Sequence, residues 1–139
     1  GASPGMDVLE RCIDSGDFQV LQIGYSLLDQ SAHDLILRAY EKGIGVLTRS
    51  GLAAGWLTPR ALTVPPEKRP PKVQRLLELC GGDADLLHSL ALHFLHRHPG
   101  IGSVLIGTRR AQNLERNLQL LSQPVDEALL DKATAIGRE

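Results

Sequence analysis

Gly107-Thr108-Arg109-Arg110 is the segment best equipped to hold an anion. It leaves an apolar run, Ser103 to Ile106, and enters a helical pattern at Ala111. Free backbone N–H groups of a helix start therefore stand beside a hydroxyl and two guanidinium groups, a set that suits phosphate. Arginine's planar fork can grip two phosphate oxygens at once and stack on a base. The plainer alternative is a solvated turn whose arginines face water. Gln22 ends another apolar run, with Tyr25 and Ser26 just beyond it. Ligands of α/β folds lie past the carboxyl ends of strands, so Gln22 is either a ligand contact or an exposed strand end. Gly100-Ile101-Gly102 reads as a turn: its glycines precede a strand instead of joining strand to helix, and the third glycine of a dinucleotide fingerprint is absent.

His88, His93, His96 and His98 crowd one helical stretch. His93 and His96 share a face, but no third ligand has metal spacing, so all four read as helix-surface histidines and no metal site is expected. Cys12 and Cys80 each fall on an apolar helix face and read as inert core thiols. Two distant cysteines make neither a disulfide framework nor a four-thiolate zinc site, and a reducing cytoplasm is the expected compartment. Trp56, after a small-residue loop, reads as a packing or lid residue. Lys and Arg number 15 against 16 Asp and Glu, a net charge of -1, which leaves no electrostatic footprint for nucleic acid or an anionic membrane. With 42% hydrophobic and 22% charged residues, the 139-residue chain has the make-up of one globular domain rather than a disordered segment. No apolar run approaches the roughly 20 residues a spanning helix needs, and no signal peptide is expected. Residue 1 is Gly, so the chain is expected to begin inside a longer protein.

The elements that position these groups follow from periodicity and punctuation. Met6 to Asp14 carries Val8, Leu9, Cys12 and Ile13 at helical spacing and stops at Ser15-Gly16-Asp17. Phe18 to Ile23 reads as a strand. Ser31, three residues before Asp34, opens a helix from Ala32 to Lys42 with the outline of a capping box, and Gly43 ends it. Ile44 to Thr48 is the next strand, completing a β-α-β unit with parallel strands. Ser50 to Gly55 is a small-residue loop, and Pro65-Pro66 and Pro70-Pro71 bracket a stretch that cannot be regular helix. Lys72 to Cys80 forms a short helix. Asp83 or Asp85 caps a longer one to about His98, before Pro99-Gly100. Ser103 to Ile106 is the third strand. Ala111 to Leu121 follows as a helix with Leu114, Leu118 and Leu121 on one face, and Asp126 to Ile136 closes the chain with Leu129, Leu130, Ala133 and Ile136 inward.

Three stretches, in this order, resemble the C-terminal part of an aldo-keto reductase. Residues 18–30, Phe-Gln-Val-Leu-Gln-Ile-Gly-Tyr-Ser-Leu-Leu-Asp-Gln, resemble the family's sixth-strand motif, which usually ends Tyr-Asn-Leu-Leu-Asp. Residues 45–58, Gly-Val-Leu-Thr-Arg-Ser-Gly-Leu-Ala-Ala-Gly-Trp-Leu-Thr, resemble the seventh strand and its loop. Ser103 to Arg109, continuing to Asn117, resembles the eighth strand and the helix that holds the cofactor's adenosine phosphate. Gly1-Ala2-Ser3 resembles the tail of the fifth strand. The resemblance implies an α/β fold, the C-terminal half of a parallel (β/α)8 TIM barrel spanning residues 1–139 as part of one domain.

It also implies an oxidoreductase that moves a hydride between NADPH, or NADH in its place, and a small carbonyl or sugar-like substrate. Ser3 and Gln22 match positions that contact the nicotinamide carboxamide. Ser50 and Leu52 match pyrophosphate-loop positions, and Gly107, Thr108, Arg109 and Asn117 match the adenosine-phosphate site. Arg49 stands where the family often has an aromatic ring, Gly51 where a Pro is common, and Pro4 where an Asn commonly follows Ser3. Asn113 and Arg116 stand where a Gln or Arg and a Glu are usual. The family's catalytic Asp, Tyr, Lys and His come from its first four strands, so no catalytic residue is expected in this chain, and Tyr25 is not the catalytic acid. The chain alone is then inactive, and needs the N-terminal half or self-association to cover its sheet. The alternative is a stand-alone, non-catalytic half-barrel that serves binding or assembly.

Overall fold

The computed structural model describes residues 5–139. The expectations for Ser3, Pro4 and the fifth-strand remnant lie outside the described residues. Helix α1 (Met6–Ser15) ends at Gly16, whose φ of 72° is the left-handed cap that glycine adopts without strain. Strand β1 (Val20–Gly24) follows, then helix α2 (His33–Glu41) and strand β2 (Gly45–Arg49). Three short 3-10 turns, Ala53–Gly55, Pro59–Thr63 and Pro66–Lys68, fill the proline-rich stretch. Helices α3 (Pro71–Leu79) and α4 (Ala84–His96), strand β3 (Ser103–Val104), and helices α5 (Ala111–Ser122) and α6 (Glu127–Arg138) complete the order.

All three strands are parallel and lie in chain order. The register sets Leu21 beside Val46, Ile23 beside Thr48, and Thr48 beside Val104. Leu21, Ile23, Val46 and Thr48 are buried under the helices. The other face carries Val20 beside Gly45, Gln22 beside Leu47 and Ser103, and Gly24 beside Arg49. It is the more open one, with Val20 54% exposed. Val20 and Val46 therefore point to opposite faces, because alternation along paired strands fixes each side chain's side. β3 is shorter than the expected Ser103 to Ile106. After Val104 the Leu105 N–H still reaches Thr48 O at 2.8 Å, but β2 itself ends at Arg49 and nothing further pairs among the described residues.

Helix α4 is the centre of the core: Leu87, Leu90, Ala91 and Leu95 are fully buried. Its start is capped by the Asp83 carboxylate, which accepts from the Asp85 and Leu86 N–H groups, and Asp126 caps α6 in the same way. The capping box expected at Ser31 does not form. Its hydroxyl bonds Asp29 Oδ1 at 2.7 Å, inside the preceding turn, and α2 starts at His33 without a side-chain cap. The expected apolar stripe of α5 is also corrected. α5 rests on α4 and buries Asn117 and Leu120, while Leu114 and Leu118 are 49% and 60% exposed. A helix buries the face its neighbour meets, and α4 meets this one. At the other end, α6 packs so closely on the Leu27 turn that a Cβ at Gly137 would stand 1.8 Å from the Leu27 carbonyl oxygen.

Candidate functional site

A cleft of about 820 Å³ opens beyond the carboxyl ends of β2 and β3. One wall is the loop after β2, with Ser50, Leu52, Gly55 and Arg60; the other is the turn after β3 and the first turns of α5, with Gly107, Thr108, Arg110 and Asn117. Asp85 and His88 of α4 complete its lining between them. The loop is folded tightly: Ser50, Ala53 and Ala54 take positive φ angles of 61°, 48° and 53°, and Arg60 reaches back to donate to the Ala54 carbonyl at 3.2 Å. A non-glycine residue in this region is costly and persists where its surroundings over-determine it.

Thr108 organises the start of α5. Its hydroxyl oxygen accepts from the Arg110 N–H at 3.2 Å and from Asn113 Nδ2 at 3.0 Å. The Ala111 and Gln112 N–H groups find no backbone acceptor, leaving the positive end of the helix open to an anion. Arg116 pairs with Asp85 at 3.0 Å. Arg60 and Arg110 have no carboxylate within salt-bridge distance among the described residues, so the cleft carries unneutralised positive charge. Two arginines, a helix start and a hydroxyl-built turn make a seat for a phosphorylated ligand.

Of the residues singled out from sequence, Ser50, Leu52, Gly107, Thr108 and Asn117 come together in this cleft. Arg109 is exposed and outside its lining, while the neighbouring Arg110 is part of it. Gln22 sits apart on the open face of the sheet, half-buried. Arg49 shares that face. Its guanidinium lies against Gly24, where a Cβ would be 3.3 Å away, and Nη1 donates to Ser50 Oγ at 3.3 Å. Trp56 is half-buried against the core and borders a smaller cavity of about 230 Å³. Cys12 and Cys80 are free thiols, and burial pushes the Cys80 thiol up to about 11.

The surface reading of the histidines is corrected at two of the four positions: His88 and His98 are buried. α4 is wrapped by α3, α5, α6 and the 59–63 turn, so it has little surface on which to place side chains. His98 Nδ1 accepts from the Gly100 N–H at 3.1 Å, which puts its proton on Nε2, 3.2 Å from His33 Nδ1. Tyr25 Oη lies within hydrogen-bond distance of that same His33 nitrogen, at 3.1 Å. Burial holds Tyr25 up to about 12 and lowers His98, with His33 adding to the latter. This network ties β1 to the end of α4 and lies outside the cleft lining. Among the described residues no cluster of three or more His, Cys, Asp or Glu side chains is arranged to hold a metal ion. Arg60, Asp85, His88 and Arg116 are cleft residues to which sequence reasoning gave no ligand role, whereas Arg110 belonged to the segment read as anion-binding. The run Leu86-Leu87-His88-Ser89-Leu90-Ala91-Leu92, apolar on nearly every side, was the available sign that His88 is enclosed.

Parallel strands in chain order, crossover helices on one side and a ligand cleft beyond the strands' carboxyl ends define part of a parallel (β/α)8 TIM barrel. The family model described as the aldo/keto reductase family matches residues 3–137, and the chain belongs to that family. No curated protein matches it. Two solved structures similar to it are the holo and apo forms of the aldo-keto reductase AKR11C1 from Bacillus halodurans, at 21% and 22% identity and TM-scores of 0.74 and 0.75. Each match covers 94% of this chain but only 46% and 47% of the other, so the chain spans about half the length of these structures. No helix among the described residues is long and apolar enough to cross a membrane.

Proposed function

We propose that residues 1–139 are the C-terminal, cofactor-binding part of one barrel domain of an NADPH-dependent aldo-keto reductase. The whole protein would pass a hydride between the nicotinamide and a small carbonyl or sugar-like substrate. The observation that carries this reading is the cleft at the start of α5, with its free N–H groups and unneutralised Arg60 and Arg110. Its chemistry fits a dinucleotide phosphate: Thr108, Arg110 and the helix start hold the adenosine phosphate with Arg109 beside them, Ser50 and Leu52 line the pyrophosphate, and Asn117 meets the adenosine. Gln22, on the open face of the sheet, is the nicotinamide contact, and Ser3 is assigned to the same role from its motif alone. NADH would bind without the phosphate contacts. When bound, the cofactor supplies the hydride; the residues of this chain bind and orient it.

Hydride arriving at a carbonyl carbon leaves an alkoxide that needs a positioned proton donor. Tyr25 is a poor candidate, since its hydroxyl is buried, held neutral and already hydrogen-bonded to His33. We therefore place the proton donor outside these 139 residues, in a complementary half-barrel that also covers the open face of the sheet. The free thiols are in keeping with a reducing cytoplasm. The purified chain is expected to bind NADPH and to oxidise none of it with aldehyde substrates. Failure to bind overturns the cofactor assignment, and steady oxidation above a protein-free control overturns the assignment of the proton donor.

A further inference from the structure

The open face of the sheet ends in a flat positive charge. Arg49 closes β2 and pairs in register with Gly24, which closes β1. A Cβ at Gly24 would stand 3.3 Å from Arg49 Cζ, 3.3 Å from Nη1 and 3.3 Å from Nη2. A point equally far from those three atoms lies above the guanidinium plane, not beside its edge. The plane therefore rests flat on the end of β1, with its opposite face turned away from that strand. Glycine allows the approach, since a side chain at position 24 would push the plane off. The group is also short of partners. Nη1 donates to Ser50 Oγ at 3.3 Å, and Nε is buried with no hydrogen-bond partner. No carboxylate lies within salt-bridge distance of it among the described residues. Folded proteins rarely leave such a donor unpaired, so the partner of this guanidinium lies outside the free chain.

Gln22 stands two residues before Gly24 on the same face, about 7 Å down the strand. With Gln22 holding a carboxamide, the ring that carries the carboxamide falls within reach of the Arg49 plane. Guanidinium groups stack on planar rings, and this one is already held flat. A nicotinamide ring has a charge that depends on its redox state. The reduced ring is neutral. Once its C4 has given up a hydride, a proton with two electrons, the ring is a cation. A fixed guanidinium against it therefore repels one redox state and not the other. An aromatic side chain in the same place would favour the cation instead, through the negative charge of its face.

We propose that Arg49 is a specificity-determining residue for the redox state of the cofactor, making the chain hold NADPH more tightly than NADP⁺. The inference rests on the cofactor-binding reading, and on Gln22 within it, and deepens it. Its size follows from Coulomb's law: two unit charges about 4 Å apart in a water-like medium change affinity about fivefold. Covering the open face would exclude water and enlarge the effect. Discrimination of this sign raises the reduction potential of the bound couple, and lets the oxidised cofactor leave sooner than the reduced one.

Calorimetry on the purified protein tests this with three probes: NADPH, NADP⁺, and adenosine 2′,5′-bisphosphate, which has phosphates but no nicotinamide. Arg49→Met keeps an apolar stem and drops the charge. It is expected to lower the ratio of the NADP⁺ Kd to the NADPH Kd about fivefold, and to leave the bisphosphate within about twofold. Arg49→Lys keeps the charge and loses the flat plane, so it is expected to weaken both dinucleotides while keeping most of the ratio. In the wild type, raising salt from about 0.02 M to about 0.5 M is expected to lower the ratio about twofold, a readout that needs no variant. An unchanged ratio in Arg49→Met, or a wild-type ratio that ignores salt, would overturn the role of Arg49 alone. Equal weakening of all three probes would overturn it too, by making Arg49 a phosphate contact. Failure of the wild type to bind any probe would overturn the cofactor reading beneath it.

Discussion

Replacing Arg110 by alanine removes one of the two cleft guanidinium groups that have no carboxylate partner among the described residues. Nothing in the free protein leans on this side chain, which is exposed, so the substitution should leave the fold within about 0.5 kcal/mol. Its effect belongs to the bound state. A hydrogen bond between a guanidinium and a phosphate contributes about 1.5–3 kcal/mol, which is roughly ten- to a hundredfold in affinity. The helix start remains in the variant and contributes about 0.3–1 kcal/mol of its own, so NADPH binding should weaken rather than vanish. NADH lacks the extra phosphate and should lose less than about threefold. Arg109→Ala should discriminate in the same direction but more weakly, since Arg109 lies outside the cleft lining. Calorimetric titration of both cofactors at one fixed ionic strength reads the two ratios. Equal loss of NADPH and NADH would refute a phosphate-specific role, and a larger effect at Arg109 than at Arg110 would move the phosphate out of this cleft.

At Gly137, alanine brings a Cβ to 1.8 Å from the Leu27 carbonyl oxygen and 2.7 Å from Gln30 Nε2, an overlap with backbone that should cost about 1–3 kcal/mol and lower the melting temperature. An unchanged melting temperature would contradict the packing of α6 on the Leu27 turn. Acid should destabilise the protein through His88 and His98, whose pKa values are held below 6.5 by burial, with His33 also acting on His98. The unfolded chain takes up protons there that the folded chain refuses, so this contribution is complete above pH 6.5 and is lost as pH falls; a melting temperature that does not drop from pH 7 to pH 5 would contradict it. The 139-residue chain by itself should self-associate, because β1 and β3 are edge strands and Val20, Leu114 and Leu118 are exposed. Sedimentation at micromolar concentration showing a monodisperse 15.1 kDa species with a cooperative melt would refute the partial-barrel reading and favour a stand-alone module.

Much of the order of elements was legible because local chemistry decides it. Gly16 and Gly43 end their helices in left-handed conformations, and Asp83 and Asp126 cap the next ones, each within a few residues of sequence. Phosphate chemistry at residues 107–110 was legible for the same reason, as a helix start preceded by a hydroxyl and guanidinium groups. What depended on distant partners was not. Leu114 and Leu118 form a sound apolar stripe, but whether a stripe is covered depends on what lies against it, and α4 meets the Asn117–Leu120 face instead. Ser31 has the spacing of a cap, yet Asp29 is nearer and takes its hydroxyl. His88 looks like any helix histidine until α5 closes over it. The strand boundaries drifted by one or two residues, and β3 shortened most, because pairing with β2 sets its length rather than its own composition.

Hydrogen-exchange mass spectrometry of the purified protein, with and without NADPH, tests the cofactor seat most directly. Protection is expected in two separate stretches, residues 50–60 and 105–117, with α1 and α6 unaffected. Protection absent from both stretches, or confined to residues 5–16 or 127–138, would contradict the assignment of the cleft to the nucleotide.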